Sequence, residues 1–445
     1  MLLVVVLILC ILFIIFSSTR IKLHPFLALL FATLAFGLFT GMPLPKIIKS
    51  INDGFGGTLG YIGIVIVAGT IIGTFLEFSG GAYALADRIL RLIGGKRVPL
   101  AMAVIGYVLS IAVFADSAFV ILSSLNKALS KRAKISLAGS AIALSLGLTV
   151  THCLVPPTPG PIAAAGIVGA DLGLVILFGM GIAGFALVNG WLFAEKYASR
   201  IWIDPSPDVS MKEITAKVKE APSSLEALGP ILAPLVLIVL RSVAEFPTRP
   251  FGEGSVKALL GFVGEPVIAL LIGVLLAFGL PRKLRTDMLS DSGWVGTGLR
   301  NATIIILITG AGGAFGKVLQ NSELADVIGR TLSNARIGIL MPFLIAAMLK
   351  SAQGSSTVAL ITAASIMAPL MPSMGLTSEI ARALVVMSVA SGAMVVSHAN
   401  DSFFWVVTQM SRMDVRRGYQ LQSLGTLVTG VTAGLVTWVI SLAVI

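Results

Sequence analysis

An apolar part of the sequence is interrupted by the stretch Thr151-His152-Cys153-Leu154-Val155-Pro156-Pro157-Thr158-Pro159-Gly160-Pro161, the first break. Four prolines within six residues cannot continue a regular α-helix, because proline lacks a backbone N–H and clashes with the preceding turn. Gly160 allows a ligand to approach the backbone closely. Backbone groups freed by such a break must find partners in water, side chains or substrate. The stretch therefore predicts a broken helix that borders a polar cavity.

A related pattern occurs in the second half of the chain, at Ser397-His398-Ala399-Asn400-Asp401-Ser402, the second break. Each break follows a short polar segment inside an apolar run. The first tip is Phe114-Ala115-Asp116-Ser117, and the second tip is Ser351-Ala352-Gln353-Gly354-Ser355-Ser356. Polar, helix-breaking residues at membrane depth are costly unless they line a cavity. A matching pair of interruptions indicates the binding site of a transporter.

The composition is that of a membrane protein. Of 445 residues, 56% are hydrophobic and 12% are charged, with a mean hydropathy of +0.98, whereas a soluble domain carries about 25% charged residues. The net charge of +11 is explained by basic residues on the cytoplasmic side better than by a nucleic-acid partner. Two cysteines, both in apolar runs, favour neither a disulfide framework nor a metal site. The sequence contains no P-loop and no nucleophile or metalloprotease motif, so we expect no cofactor and no enzymatic activity.

The hydropathy pattern predicts an all-α polytopic protein. Apolar runs of spanning or near-spanning length occur near 2–16, 24–40, 58–80, 135–155, 172–194, 229–246, 261–280, 301–319, 378–397 and 424–445. Regions 98–129 and 337–373 contain the tips and are interpreted as re-entrant helical hairpins. Regions 135–170 and 378–411 contain the breaks and are interpreted as broken transmembrane helices. A polar stretch over 196–228 is predicted to be a cytoplasmic linker that separates the first repeat, residues 1–195, from the second repeat, residues 229–445.

The two halves are predicted to be inverted repeats. Asp171 follows one broken helix and Asp414 the other, 243 residues later, while Leu85-Ala86-Asp87 resembles Leu324-Ala325-Asp326 at a similar offset. Basic clusters flank both ends of 98–129, so that hairpin enters from the cytoplasm. The same positive-inside argument makes 337–373 enter from outside. Opposite orientations of duplicated units are typical of secondary transporters.

The tips and breaks supply the candidate site residues. The half-helices after the tips would direct unpaired N–H groups and positive dipole ends to mid-membrane, which favours an anion. Thr158 and Asn400 are candidates for holding hydroxyl groups, and Lys350 either offsets a substrate carboxylate, pairs with an acidic residue or extends outward. The predicted substrate-binding residues are Asp116, Ser117, Thr151, His152, Pro157, Thr158, Gly160, Gly354, Ser355, Ser356, Thr357, His398, Asn400 and Asp401. The candidates for a coupling proton are Asp116, His152, His398 and Asp401. Dense small residues in 63–73 and 310–316 favour close helix packing.

Several stretches resemble the gluconate permease family of gluconate:proton symporters over nearly the whole chain. The resemblance is carried by the first break and by His24-Pro25-Phe26-Leu27-Ala28-Leu29-Leu30, Gly310-Ala311-Gly312-Gly313-Ala314-Phe315, Gly354-Ser355-Ser356-Thr357-Val358-Ala359 and Asp401-Ser402-Phe403-Phe404-Trp405. This resemblance implies an ion-transporter-type inverted-repeat fold, a homodimer and an elevator-like transport domain. It also implies a small carboxylate substrate, which is gluconate, another sugar acid or, in one branch, D-serine.

The sequence therefore predicts a proton-coupled secondary transporter that imports a small hydroxy-carboxylate across a bacterial inner membrane. Its expected partners are this substrate, a proton, membrane lipid and a second copy of the chain. Two alternatives remain open, namely a passive anion channel or uniporter and a D-serine-type permease of the same family. An intramembrane hydrolase using serine and His152 or His398 has no nucleophile motif to support it.

Overall fold

A computed structural model describes residues 2–94, 97–205, 219–245, 251–252, 254–322, 338–399 and 401–445, and these residues form an all-helical protein. The helices of the first half are α1 (Leu2–Phe16), α2 (Pro25–Phe39), α3 (Leu44–Phe78), α4 (Gly81–Ile93), α5 (Val98–Leu109), α6 (Ala115–Ala133), α7 (Leu137–Leu154), α8 (Pro159–Val168) and α9 (Leu172–Lys196). Those of the second half are α10 (Ser224–Glu245), α11 (Ser255–Val263), α12 (Pro266–Ala277), α13 (Trp294–Gln320), α14 (Leu340–Gln353), α15 (Ser356–Met367), α16 (Glu379–Gly392), α17 (Ser402–Met410) and, after a short turn of helix, α18 (Leu424–Val444). Within these residues the predicted all-α class is confirmed.

Membrane-crossing segments are numerous. In the described part of the chain, five helical segments are long and apolar enough to cross a membrane, or up to seven if each of two bent pairs counts as one. The predicted run 58–80 is part of a longer helix that begins at Leu44 and bends by 44° between Tyr61 and Gly63. The predicted run 261–280 contains a 66° bend between α11 and α12. Helix α3 begins before the predicted apolar run, because Lys46 and Lys49 interrupt the apolar pattern of the sequence but do not break the helix.

Both predicted hairpins are pairs of helices with a sharp turn. The first runs through α5 and α6, and the second through α14 and α15. Helices α5, α14 and α15 contain 12, 14 and 12 residues, about 18–21 Å at 1.5 Å per residue. A bilayer core is about 30 Å thick, so none of the three helices crosses it alone. The fourth hairpin helix, α6, has 19 residues, about 28 Å, and the re-entrant path of both hairpins remains a prediction.

The two broken helices also have two halves each. Helix α7 ends at Leu154, and α8 begins at Pro159, where Thr158 is the N-terminal cap position. Helix α16 ends at Gly392 and α17 begins at Ser402, and the described residues between them, 393–399 and 401, form no regular helix. Within that segment Val396 has a φ of 46°, a left-handed conformation that β-branched residues rarely adopt.

The two halves of the chain make matching contacts. Helix α5 packs on α7, and α14 packs on α16. Each hairpin also packs on the broken helix of the other half of the chain, since α6 contacts α17 and α15 contacts α8. Asp171 and Asp414 have the same local role, since each carboxylate caps the backbone N–H three residues ahead, at 2.8 and 2.7 Å. Two copies of one folding unit would produce this arrangement, and their inverted relation remains a prediction.

Long helices α3 and α13 pack closely against each other and against the hairpins, as the dense small residues predicted. A Cβ added at Gly73 of α3 would lie 2.2 Å from the carbonyl oxygen of Ala112, just before the first tip. A Cβ added at Gly316 of α13, 243 residues later, would lie 3.1 Å from the carbonyl oxygen of Ser365. Small residues at these positions allow the backbones to touch.

Three predictions fall on residues outside the described ranges. They concern part of the 196–228 linker (residues 206–218), the repeat segment Leu324-Ala325-Asp326, and Asn400 of the second break.

Candidate substrate site

The tips and breaks converge on one cavity of about 250 Å³, the tip cavity. This is roughly the volume of eight liquid water molecules, which is a suitable size for a small solute. The residues that line it come from both hairpins and both broken helices: Ala115, Asp116, Thr149, His152, Cys153, Lys350, Ser355, Ser356, Thr357, Met394, Ser397, Asp401, Ser402 and Phe403. Segments far apart in sequence are thus brought together around one cavity.

The first half of the chain contributes two polar atoms without partners. Asp116 lies in the first turn of α6, and His152 lies in the last turn of α7. Asp116 Oδ1 and His152 Nδ1 are both buried, and neither has a hydrogen-bond partner among the described residues. The Phe114 ring lies 6.1 Å from the His152 ring and covers one side of it. Buried polar atoms are normally paired, so these two atoms are suited to contact a ligand.

The second half contributes hydroxyl groups and helix N-termini. Ser355 Oγ accepts a hydrogen bond from the N–H of Val358 at 3.3 Å and so caps α15. Ser356 and Thr357 follow in the first turn, and both line the cavity together with Cys153. Three helices, α6, α15 and α17, begin at the cavity wall. Their positive dipole ends and unpaired N–H groups favour a bound anion.

A buried ion pair connects the second tip to the second break. Lys350 Nζ lies 2.7 Å from Asp401 Oδ2 and also donates to the carbonyl oxygen of Gly354. Asp401 Oδ2 accepts a further bond from Ser397 Oγ at 2.5 Å, and Oδ1 accepts from the N–H of Phe403 at 3.0 Å. The side chains of Lys350 and Asp401 are 2% and 9% exposed. Of the alternatives for Lys350, the structure has the pairing with an acidic residue.

Six of the predicted site residues line the tip cavity, namely Asp116, His152, Ser355, Ser356, Thr357 and Asp401. Gly354 lies directly beside it, with a φ of 88° that suits glycine at the end of α14. Asn400 lies outside the described residues.

The other predicted residues are not among those that line the tip cavity, and two of them bond to nearby backbone carbonyl oxygens. Thr151 Oγ1 donates to Gly147 at 3.1 Å, and Thr158 Oγ1 donates to Val155 at 2.6 Å.

The Gly160 position is a contact between the two halves. A Cβ there would lie 2.8 Å from Leu360 Cδ1 of α15. The neighbouring Pro157 lines a small apolar space on the far side of the break.

The remaining two predicted residues contact protein groups. The Ser117 side chain lies near Glu77 at the end of α3. His398 Nε2 lies 2.7 Å from the carbonyl oxygen of Ser351, and its ring stacks near Tyr419 at 6.3 Å. Sequence reasoning placed these residues near the interruptions correctly, but it did not determine which way their side chains point.

Several residues that line the cavity were missed. Thr149 lies three positions before His152, and helical spacing puts both on one face. Ser397 lies four positions before Asp401 and bonds to it across the irregular segment. Cys153, Met394 and Phe403 carried no signal, because apolar or thiol side chains are ordinary in apolar runs.

A second cavity, the far cavity, lies at the opposite ends of α8 and α15. Its volume is about 400 Å³, and its charged lining residues are Asp53, Lys317 and Arg382. The 12 residues of α15 separate the two cavities by about 18 Å. Helix α15 therefore begins at the tip cavity and ends at the far cavity.

The fold and this cavity define a multi-pass membrane transporter. The comparisons with known proteins give the family: residues 1–443 match the model of the GntP family permeases, and the chain belongs to this family. The predicted family, the membrane location and the absence of an enzymatic class are thereby confirmed.

Relatives in this family have different named substrates. The chain is 36% identical to a gluconate permease of Pseudomonas aeruginosa over 90% of its own length and 89% of that protein. It is 32% identical to the D-serine transporter DsdX of Escherichia coli K12 over 98% of its length and 97% of that protein. Among solved structures, the crystal structure of the Alcanivorax borkumensis YdaH transporter matches with a TM-score of 0.67 and 14% identity, over 95% of this chain and 99% of that chain. This last likeness concerns the fold alone.

Proposed function

We propose that this protein is a proton-coupled secondary transporter that imports a small hydroxy-carboxylate, such as gluconate or a related sugar acid, across the bacterial inner membrane. The observation that carries the proposal is the tip cavity, which three helix N-termini reach and which is lined by Asp116 and His152, two residues that each have a buried polar atom with no partner among the described residues. A carboxylate would bind at the N-terminal ends of α15 and α17, where N–H groups and the Ser356 and Thr357 hydroxyls converge. The hydroxyl groups of the substrate would pair with Asp116 Oδ1 and His152 Nδ1.

Movement of the site across the membrane would be elevator-like. The two hairpins and the two broken helices around the tip cavity would move as a unit against the long helices α3 and α13. The long helices contact the hairpins at Gly73 and Gly316. Spin labels on exposed Thr303 of α13 and exposed Thr377 after α15 test this motion. We expect two distance populations whose ratio changes with gluconate. One unchanged distance in all conditions would refute the elevator.

Binding at the second tip is testable with a matched pair of variants on α15. Thr357→Val removes a hydroxyl that lines the tip cavity, whereas Thr362→Val removes a buried hydroxyl of the same helix that has no partner among the described residues. A hydrogen bond to a charged group contributes about 1.5–3 kcal/mol, so gluconate affinity of the first variant should fall roughly 10- to 100-fold. Thr362→Val should bind as the wild type does. Equal affinities of all three proteins would contradict carboxylate binding at this tip.

A carrier and a channel differ in counterflow. Proteoliposomes loaded with unlabelled gluconate should accumulate external labelled gluconate transiently, because a carrier exchanges substrates through one site. A passive channel gives no such overshoot. Proton coupling is tested separately, because a monoanion moved with one proton is electroneutral and follows the pH gradient. Concentrative uptake with neither a pH gradient nor a membrane potential would refute that coupling.

A D-serine-type permease is the second candidate, because the relationship to DsdX extends over nearly the full chain. Its substrate would place an ammonium group against Asp116 and a carboxylate at α15. Competition in the counterflow assay separates the candidates. Gluconate and other sugar acids should displace the label, and D-serine should not.

The inner membrane and a homodimer complete the proposal. Helical multi-pass proteins satisfy their backbone within each helix, which suits the bacterial inner membrane. Many large apolar side chains on the described helices face outward, for example Phe39 at 72% and Leu225 at 80% exposed, and these faces meet lipid or a second copy. Mass measurement of the purified protein in lipid nanodiscs tests the dimer.

A further inference from the structure

The charged groups around the tip cavity do not balance. The charged side chains that line it, among the described residues, are Asp116, Lys350 and Asp401. Lys350 and Asp401 neutralise each other at 2.7 Å. Ionised Asp116 would then leave one uncompensated negative charge beside a site proposed to receive an anion. An anion would enter against this charge, and like charges in a poorly hydrated space repel strongly.

The other titratable groups near the site do not correct the imbalance. Glu77 of α3 lies near Ser117 of the first tip, and its carboxylate carries the same sign as Asp116. Cys153 lines the cavity beside His152 and is a free, buried cysteine. His398 does not belong to the cavity lining and contacts the carbonyl oxygen of Ser351. Both oxygens of Asp401 accept hydrogen bonds from protein donors.

From this arrangement we propose that Asp116 is the group that binds the transported proton, and that it does so together with the substrate. This inference rests on the proposed function and assigns its coupling step to one carboxyl group. One proton from solution binds Asp116 as one substrate anion enters, so the cavity gains no net charge. The new carboxyl O–H donates a hydrogen bond to a substrate oxygen. On the other side of the membrane the proton and the anion leave together, and Asp116 is again a carboxylate.

His152 is the competing group, because its Nδ1 is also buried and unpartnered among the described residues. The charges left after protonation distinguish the candidates. A proton on His152 would leave two buried charges, the imidazolium and the ionised Asp116 carboxylate, whereas a proton on Asp116 removes a charge, and buried charges are costly in a poorly hydrated space. His152 is therefore expected to remain neutral and to hydrogen-bond the substrate.

Proton uptake by the purified protein in weakly buffered detergent is the direct test. Gluconate binding to the wild type should take up one proton per substrate at a pH where Asp116 of the free protein is ionised. Above that pH the affinity should fall about tenfold per pH unit. Asp116→Asn resembles the protonated carboxyl, so it should bind gluconate with no proton uptake and an affinity independent of pH. His152→Gln is the matched control, and it should bind more weakly but keep the proton uptake of the wild type.

Each other result has a definite meaning. An Asp116→Asn protein that still takes up a proton, or that is folded and binds gluconate at no pH, overturns the assignment. Loss of proton uptake in His152→Gln moves the assignment to His152. Substrate-induced infrared difference spectra of wild type provide a readout independent of any variant, because a protonated aspartic acid band should appear on binding, and its absence also overturns the inference. A wild type that binds no gluconate refutes the proposed substrate instead.

Discussion

The buried pair between Lys350 and Asp401 allows a quantitative prediction. At 2.7 Å and an effective dielectric constant of about 20, the attraction between unit charges is about 6 kcal/mol, part of which offsets the loss of hydration of both groups. Lys350→Met leaves the Asp401 carboxylate with the Ser397 and Phe403 bonds but without a cation. Breaking a buried pair by removing one partner costs about 3–5 kcal/mol. We expect this reduction in the free energy of unfolding.

The double variant decides whether the pair is responsible. Lys350→Met combined with Asp401→Asn removes both charges, so it should unfold with a free energy closer to wild type than either single variant. Denaturant unfolding in mixed micelles, followed by intrinsic tryptophan fluorescence, gives the four free energies of the cycle. Additive losses in the double variant would show that the two groups do not interact, and the reasoning would be wrong.

Three further predictions concern packing and caps. Gly73→Val should reduce the free energy of unfolding by roughly 1–3 kcal/mol, because its Cβ would lie 2.2 Å from the Ala112 carbonyl oxygen. Gly63→Ala is the control and should be tolerated, because a Cβ at Gly63 has nothing within 4 Å. Thermal unfolding compares the two variants. Gly160→Ala places a methyl group 2.8 Å from Leu360 Cδ1, so the rate of counterflow should fall. The double variant Gly160→Ala with Leu360→Ala has room for that methyl group, so its counterflow rate should be restored. Ser136→Ala removes the N-terminal cap of α7, in which Ser136 Oγ accepts from the Ala138 N–H at 3.1 Å, and should lower the free energy of unfolding by about 0.5–2 kcal/mol. Its gluconate affinity, measured by titration calorimetry, should equal that of the wild type. A change in that affinity would contradict a purely structural role.

Helical boundaries and interruptions were largely predictable from local chemistry. Proline at 156, 157, 159 and 161 forced the first break, and the gap between α7 and α8 lies there. Asp171 and Asp414 were matched by offset alone, and both prove to be helix caps. These features depend on residues close together in the chain, which is why sequence reasoning reached them.

Side-chain partners across the fold were not predictable in the same way. Sequence reasoning could not choose between Asp401 and another acidic residue as the partner of Lys350, because Lys350 and Asp401 lie 51 positions apart. Thr158 was a candidate ligand for hydroxyl groups, yet its own hydroxyl bonds to Val155 three residues earlier, a local choice open to any threonine at a helix start. The first half of α3 was not predicted as part of the helix because it contains polar residues, and the bend between its two halves was therefore missed as well.

The central claim is that a small carboxylate binds where the two tips and two breaks meet. An electron cryo-microscopy map of the protein with gluconate in lipid nanodiscs tests it most directly. Density for the ligand should lie within hydrogen-bonding distance of Asp116, His152 and the start of α15. Ligand density confined to the far cavity, beside Lys317 and Arg382, would contradict the claim.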